Sequence, residues 1–157
     1  MFHDKSIEMR PIGLIRTDVA DADVARQRRT MISTIEVFDA YAAGLLGIEA
    51  YSHLFILFAL HRAAPPTTMT AHPRGDLSQP AQGVFAARGR NHPNSIGLAV
   101  VELLGVDGTT LRVRKLDAYD GTPLLDIKPY DSYDVANEPR VPAWWRRRSL
   151  TPGGELG

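Results

Sequence analysis

Ile96-Gly-Leu-Ala-Val-Val-Glu-Leu-Leu-Gly-Val-Asp-Gly-Thr-Thr-Leu-Arg-Val-Arg-Lys-Leu-Asp117 is the stretch that decides the fold. Residues 96–104 and 110–117 are rich in Val, Leu and Ile, and Gly105-Val-Asp-Gly108 between them is turn-forming, so the stretch predicts an antiparallel hairpin. Upstream, His53-Leu-Phe-Ile-Leu-Phe-Ala-Leu60 has no polar face; at this length it predicts a strand buried on both sides. In residues 30–37, Met31, Ser33 and Ile35 alternate with Ile32, Thr34 and Glu36, which is a strand period. Residues 8–17, 83–88 and 124–129 read as further strands. About seven short strands at regular spacing, with little helix, predict a mainly β protein whose antiparallel sheet closes or folds on itself.

The remaining segments are less regular. Residues 18–29 carry Asp18, Asp21, Asp23, Arg26, Arg28 and Arg29 and read as a surface loop or short helix. Phe38, Tyr41, Ala42 and Leu45 fall at i, i+3, i+4 and i+7, predicting a short amphipathic helix that Gly47 stops. Pro65, Pro66, Pro73, Gly75 and Pro80 make residues 63–80 a long Pro-rich loop, and loops of that length are more often functional than incidental.

A chain of 157 residues is enough for one domain. Its 44% hydrophobic and 23% charged content excludes wholesale disorder. Eighteen basic residues balance eighteen acidic ones, which excludes nucleic-acid binding by bulk charge but leaves room for a local basic patch. With no cysteine there are no disulfides, thiolate metal sites or cysteine nucleophiles. Asp4, Lys5, Glu8 and Arg10 argue against a signal peptide, and the longest apolar run, residues 54–60, is far short of the ~20 residues of a membrane span. The expectation is a soluble cytoplasmic protein. His3, His53, His61, His72 and His92 show no metal-ligand spacing, so no metal is expected.

No dinucleotide fingerprint, phosphate loop or nucleophile elbow is present. Two polar clusters remain. Arg88-Gly-Arg-Asn-His-Pro-Asn-Ser-Ile-Gly97 is dense in hydrogen-bonding groups, with Pro93 and Gly97 shaping the backbone. It reads either as a ligand-gripping loop or as a decorated hairpin turn. Asp117-Ala-Tyr-Asp-Gly-Thr-Pro-Leu-Leu-Asp-Ile-Lys-Pro-Tyr130 gathers carboxylates around a turn, suited to ribose hydroxyls, amino groups or a cation. Its turn chemistry alone would also account for Asp-Gly-Thr-Pro. Lys128 in this apolar setting needs a partner, and Asp126 on the same strand face is the candidate. His61, just past the buried strand, suits a pocket mouth. Trp144-Trp145-Arg146-Arg147-Arg148 reads either as a surface that stacks on and neutralises RNA or as a tail docked on the body or a second subunit.

These pieces occur in a familiar order. Pro11-Ile-Gly-Leu-Ile-Arg-Thr17, Gly47-Ile-Glu-Ala-Tyr-Ser-His-Leu54, Gly83-Val-Phe-Ala-Ala-Arg88, Asn94-Ser-Ile-Gly-Leu98 and Asp120-Gly-Thr-Pro-Leu-Leu-Asp-Ile-Lys-Pro-Tyr130 resemble the TsaA-like family, and the likeness spans residues 8–131. The resemblance implies a knot-free antiparallel β-barrel over residues 1–134, followed by a basic, aromatic tail over residues 135–157. It implies a homodimer with S-adenosylmethionine bound near the subunit junction. The implied activity is methylation of N6 of threonylcarbamoyladenosine in tRNA. The alternatives are a methyltransferase for a small molecule and a non-catalytic S-adenosylmethionine-binding module. By position, the implied cofactor contacts are Arg26, Gln27, Arg28, His61, Arg62, Arg88, Leu98 and Asp117, Ala118, Tyr119, Asp120, Gly121 and Thr122. The chain departs from the family's usual residues at Ala87, His92, Ser95 and Ala99.

Methyl transfer from a sulfonium is an in-line displacement, so the protein must orient the acceptor, exclude water and accept a proton. Asn94 is expected to orient the acceptor, and Asp120 or His61 to take the proton.

Overall fold

The computed structural model describes residues 5–143 and 145. In chain order its strands are β1 (Gly13–Arg16), β2 (Ile32–Val37), β3 (His53–Ala59), β4 (Thr70–Ala71), β5 (Gln82–Gly83), β6 (Ile96–Asp107), β7 (Thr110–Arg114) and β8 (Thr122–Pro129). Six of them close an antiparallel barrel in the order β1-β2-β7-β6-β3-β8, with β8 pairing back to β1. Closure leaves no free strand edge. Alternate residues fill the interior: Ile15, Ile35, Leu54, Ile56, Val101, Leu111, Val113 and Leu124 are fully buried. At Gly13 a side chain would run into the Glu36 carbonyl, so only glycine lets β1 lie this close to β2.

The β6–β7 hairpin forms, but its turn lies later than the sequence suggests. β6 continues through a bulge near Gly105 to Asp107, which pairs with Thr110. The turn is therefore Gly108-Thr109, with Gly108 at a φ of 58° that glycine tolerates without strain. β3 is not buried on both sides. Leu54, Ile56 and Phe58 enter the core, whereas His53, Phe55, Leu57 and Ala59 are half-buried on the outside of the barrel. A closed barrel has one packed interior, so an apolar outer face here is surface.

Other expectations are trimmed. Of residues 8–17 only Gly13–Arg16 is strand. Of residues 83–88, Gly83 closes the short β4–β5 ribbon and Val84–Ala86 forms a 3-10 turn, so this segment is not a barrel strand. The ribbon also gives the long Pro-rich loop some structure. The segment before Gly47 is a 3-10 helix, Asp39–Leu45, in which Leu45 is buried while Phe38 and Tyr41 are exposed. Three residues per turn rotate an i, i+4, i+7 set off a common face. Gly47, at a φ of 84°, ends it as expected. One α-helix, α1 (Asp21–Gln27), occupies the polar segment after β1.

Lys128 does pair with Asp126, at 2.9 Å, but both groups are exposed on the barrel's outer face, so the lysine is not sheltered. Among the described residues no helix is long and apolar enough to cross a membrane. Trp144, Arg146, Arg147 and Arg148 of the tail lie outside the described residues.

Candidate functional site

Three loops and a helix end meet at one mouth of the barrel. β3 runs out into Leu60, His61 and Arg62, and the Leu60 N–H donates to the Ser95 carbonyl at 2.8 Å, fastening this exit to the start of β6. β7 ends at Arg114, after which Lys115 adopts a left-handed φ of 72° and turns the chain across the mouth. In the segment that follows, Leu116 and Ala118 are buried, which directs Asp117 and Tyr119 the other way. Gly121 then folds back with its N–H on the Ile15 carbonyl at 2.8 Å, and β8 begins.

Between these segments lies a cavity of about 500 Å³. Its floor is apolar, from Phe58, Ala59, Leu60, Gly97, Leu98 and Ala118. Its walls carry Arg28, His61, Arg62, Phe85, Arg88, Arg90, His92, Asp117, Tyr119 and Thr122. Four arginines against one carboxylate make the mouth cationic although the whole chain is neutral. That volume and this mixture of apolar lining with a few convergent polar groups suit a small-molecule site.

Several of these side chains are held in place. The Arg62 guanidinium lies 4.9 Å over the Tyr119 ring and pairs with Asp21 at the start of α1. Its Nε–H also donates to His61 Nε2 at 3.3 Å. Arg88 donates to the Leu98 carbonyl at 3.3 Å. His92 Nε2 lies 3.1 Å from the Ala87 carbonyl, and its ring meets the Phe85 ring edge-on.

Two polar groups on the cavity wall matter most for binding. The Asp117 residue reaches solvent, yet its carboxyl is crowded by the cavity walls, and the resulting desolvation raises its pKa above the ordinary value. A hydrogen bond with its own backbone and the charges of Arg28 and Arg88 pull the other way without cancelling it. Thr122 is 2% exposed and lines the same cavity, and its hydroxyl has no hydrogen-bond partner among the described residues. A hydroxyl so placed is free to bond a water or a polar ligand that enters the cavity.

Of the residues the sequence singles out, Arg28, His61, Arg62, Arg88, Leu98, Asp117, Ala118, Tyr119 and Thr122 all line the cavity. Arg26, Gln27, Asn94, Asp120 and Gly121 do not. Arg26 pairs with Asp23 at 2.7 Å. The Gln27 and Asn94 carbonyls accept local backbone bonds. Asp120 receives the Thr17 N–H at 3.1 Å and faces Arg16 at 3.7 Å, pinning the β8 turn to β1. Arg90 lines the cavity as part of the 88–97 polar cluster, whereas sequence reasoning did not single out Phe58 or Phe85; the one available signal was Phe85, a lone aromatic among small residues in a turn-rich stretch.

A larger cavity of about 640 Å³ lies between the 3-10 helix Asp39–Leu45 and β8. Its one charged lining residue, Asp126, is already paired with Lys128. Chemistry therefore favours the smaller cavity. Among the described residues no group of three or more His, Asp or Glu side chains is placed to hold a metal ion.

A family model described as the tRNA-methyltransferase O N-terminal domain matches residues 20–134. The chain belongs to that family. The match covers α1, all the barrel strands except β1, and every segment that lines the cavity. An S-adenosyl-L-methionine-binding protein of Archaeoglobus fulgidus is 39% identical over 134 residues, 83% of this chain and 94% of the relative. The tRNA (adenine(37)-N6)-methyltransferase of Escherichia coli is 33% identical over 139 residues, 80% of this chain and 58% of the enzyme. The crystal structure of TrmO from Pseudomonas aeruginosa superimposes with a TM-score of 0.72 at 31% identity, covering 92% of this chain and 64% of that one. Members of the tRNA-methyltransferase O N-terminal domain family thus differ in length. The chain spans nearly all of the archaeal protein, about three-fifths of the other two, and 34% of another Archaeoglobus fulgidus relative that is 42% identical to it.

Proposed function

We propose that this chain is an S-adenosylmethionine-dependent methyltransferase acting on N6 of threonylcarbamoyladenosine in tRNA. Family membership and the activity named for the Escherichia coli relative support the reading. The observation that carries it is the cavity in which Asp117 and the Thr122 hydroxyl stand with Arg28 and Arg88. S-adenosylmethionine has the matching parts: a carboxylate, cationic ammonium and sulfonium groups, and ribose hydroxyls. Arg28 and Arg88 suit the carboxylate, Asp117 suits a cationic group or the ribose, and Thr122 supplies the buried hydrogen bond. Leu98, Ala118 and Tyr119 give apolar and aromatic surface for the base, with His61 and Arg62 beside Tyr119. The bound cofactor supplies an electrophilic methyl group.

The domain occupies residues 1–134, with residues 135–157 as a tail, and the protein works in the cytoplasm as a homodimer. Support for the dimer comes from the outer face of β6, where Ile96, Leu98 and Val100 are 42%, 50% and 41% exposed in one row. Leu98 also lines the cavity, so a second copy on this row would close the site's open side. Light scattering at twice the monomer mass is the expected result.

The deciding experiment incubates the purified chain with methyl-labelled S-adenosylmethionine and total tRNA. Label in tRNA is expected. A melting temperature that rises with cofactor, by roughly 2.7 kcal/mol of added stability at 100 times Kd, is the companion result. Cofactor binding without transfer to tRNA would overturn the reading in favour of a binding module.

A further inference from the structure

Phe85 is a large apolar side chain left 76% exposed on the lip of the cavity. Isolated exposed apolar residues need no explanation, but this one stands edge-on to a histidine, at a ring separation of 6.0 Å, and that histidine lines the same cavity. Arg88 and Arg90 line the wall between them and are exposed. An aromatic face beside exposed guanidinium groups is how proteins receive an unstacked base and its phosphates.

The two cavity histidines differ in what their rings have free. A carbonyl can only accept, so the His92 bond to Ala87 requires Nε2 to carry the hydrogen. That leaves Nδ1 of neutral His92 with a lone pair and no partner among the described residues. For His61 the reverse holds: an arginine can only donate, so His61 Nε2 is the accepting atom and its lone pair is occupied by Arg62. Of the carboxylates, Asp117 is the one assigned above to the cofactor's cationic group or ribose, and Asp120 is held by the Thr17 N–H and Arg16 outside the cavity. A proton acceptor with a free lone pair therefore sits at His92.

We infer that Phe85 and His92 form the acceptor subsite: an RNA base stacks on Phe85, and His92 Nδ1 takes the proton from its reacting nitrogen. This rests on the methyltransferase reading above and deepens it. The balance is complete. As the nitrogen–carbon bond forms, the carbon–sulfur pair stays with sulfur, which becomes a neutral thioether, and the N–H proton passes to His92 as imidazolium. The charged and titratable groups around His92 in the cavity are Arg88 and Arg90 on its own loop, Arg28 after α1, His61 and Arg62 after β3, and Asp117 and Tyr119 after β7. His92 is the one whose ring is already oriented by a backbone carbonyl, with its second nitrogen open.

The test uses the full chain and two variants, Phe85→Ala and His92→Gln. Phe85→Ala is expected to weaken tRNA binding about 10-fold, measured by anisotropy without cofactor, in line with the loss of one base–aromatic stack. Phe85→Trp restores it. His92→Gln is expected to lower kcat about 100-fold, the lower end for a general base, with the Kd values for cofactor and tRNA within twofold of wild type. Nitrogen-15 spectra of the wild-type imidazole are expected to show His92 protonated at Nε2. An Nδ1–H tautomer, wild-type turnover by His92→Gln, or equal tRNA affinity for Phe85→Ala would overturn the proposal. Wild-type protein is assayed first: if it transfers no methyl group to tRNA, the functional reading has failed and the subsite falls with it. If it does, the variants alone decide the subsite.

Discussion

Phe58 and Gly97 face each other across the β3–β6 ladder, and the Phe58 ring lies where a side chain at position 97 would go. Phe58 is 3% exposed and both residues border the cavity, so one glycine sets both the packing of the barrel end and the shape of the site. Gly97→Ala forces the ring to move, an overpacking change costing roughly 1–3 kcal/mol. For a chain of this size each kcal/mol lowers Tm by about 2–4 °C. Calorimetry is expected to show that loss together with weaker cofactor binding. Gly44→Ala, where a new methyl group meets nothing within 4 Å, is expected to melt within a degree or so of wild type.

Asp117 makes stability depend on pH in a defined direction. Desolvation by the cavity walls raises the pKa of its carboxyl in the folded protein above the ordinary carboxylate value of the unfolded chain. Between those two values the native state holds a proton that the unfolded state has lost, so stability falls as pH rises through that window. Below it the contribution vanishes; above it the loss is complete and constant. Asp117→Asn is therefore expected to raise Tm at neutral pH and to melt like wild type once both are below the carboxylate range. It is also expected to bind S-adenosylmethionine more weakly. Parallel melting curves against pH, offset by the same amount throughout, would count against this account.

How much of this was legible in the sequence depends on whether a signal was local. The period-2 alternation of residues 31–36 announced β2, in which Ser33 and Ile35 meet the core and Ile32 and Glu36 meet water. β3 misled because Phe55 and Leu57 are as apolar as the residues opposite them, and composition alone does not reveal that a closed barrel leaves an outer face uncovered. The Asp39–Leu45 helix was placed correctly but wound differently, so its expected apolar face dissolved. For the site, the loop after β7 and the exit from β3 were readable, since a carboxylate-rich turn and a histidine after an apolar strand are local features. That Asp120 faces β1 while Asp117 faces the cavity depends on Lys115 and Gly121, whose left-handed φ angles of 72° and 74° set where each side chain goes. Only glycine announces such a conformation in sequence, and Lys115 gave no warning.

Thr122 offers a cleaner separation of stability from binding. Its hydroxyl is buried and unpartnered among the described residues, and leaving such a group unsatisfied costs about 1–3 kcal/mol. Valine has nearly the same shape and no hydroxyl. Thr122→Val is thus expected to raise Tm by about 2–4 °C per kcal/mol recovered, while S-adenosylmethionine binds about 10-fold more weakly because its partner in the wall is gone. Scanning calorimetry on the variant reads the first half and titration calorimetry the second. A variant that is stabilised and binds normally would show that the hydroxyl faces no ligand.

Arg62 joins three separate pieces of chain at one point: Asp21 opening α1, His61 at the exit of β3, and the Tyr119 ring beyond β7. Each link is worth little alone, since exposed ion pairs contribute ~0–1 kcal/mol and an exposed cation–π contact about 0.5–1 kcal/mol. Their value is geometric, because together they fix where Tyr119 and His61 stand. Lysine at this position keeps the charge and can still reach Asp21, but it has neither the plane that lies over Tyr119 nor the fork that serves two partners at once. Arg62→Lys is therefore expected to change Tm by only a few degrees and yet weaken cofactor binding by about 5–10-fold, with Arg62→Met weakening it further. The comparison is between the two readouts: a lysine variant with wild-type affinity would mean that charge alone holds this wall, and a loss of affinity matched by a large drop in Tm would mean that Arg62 supports the fold rather than the site.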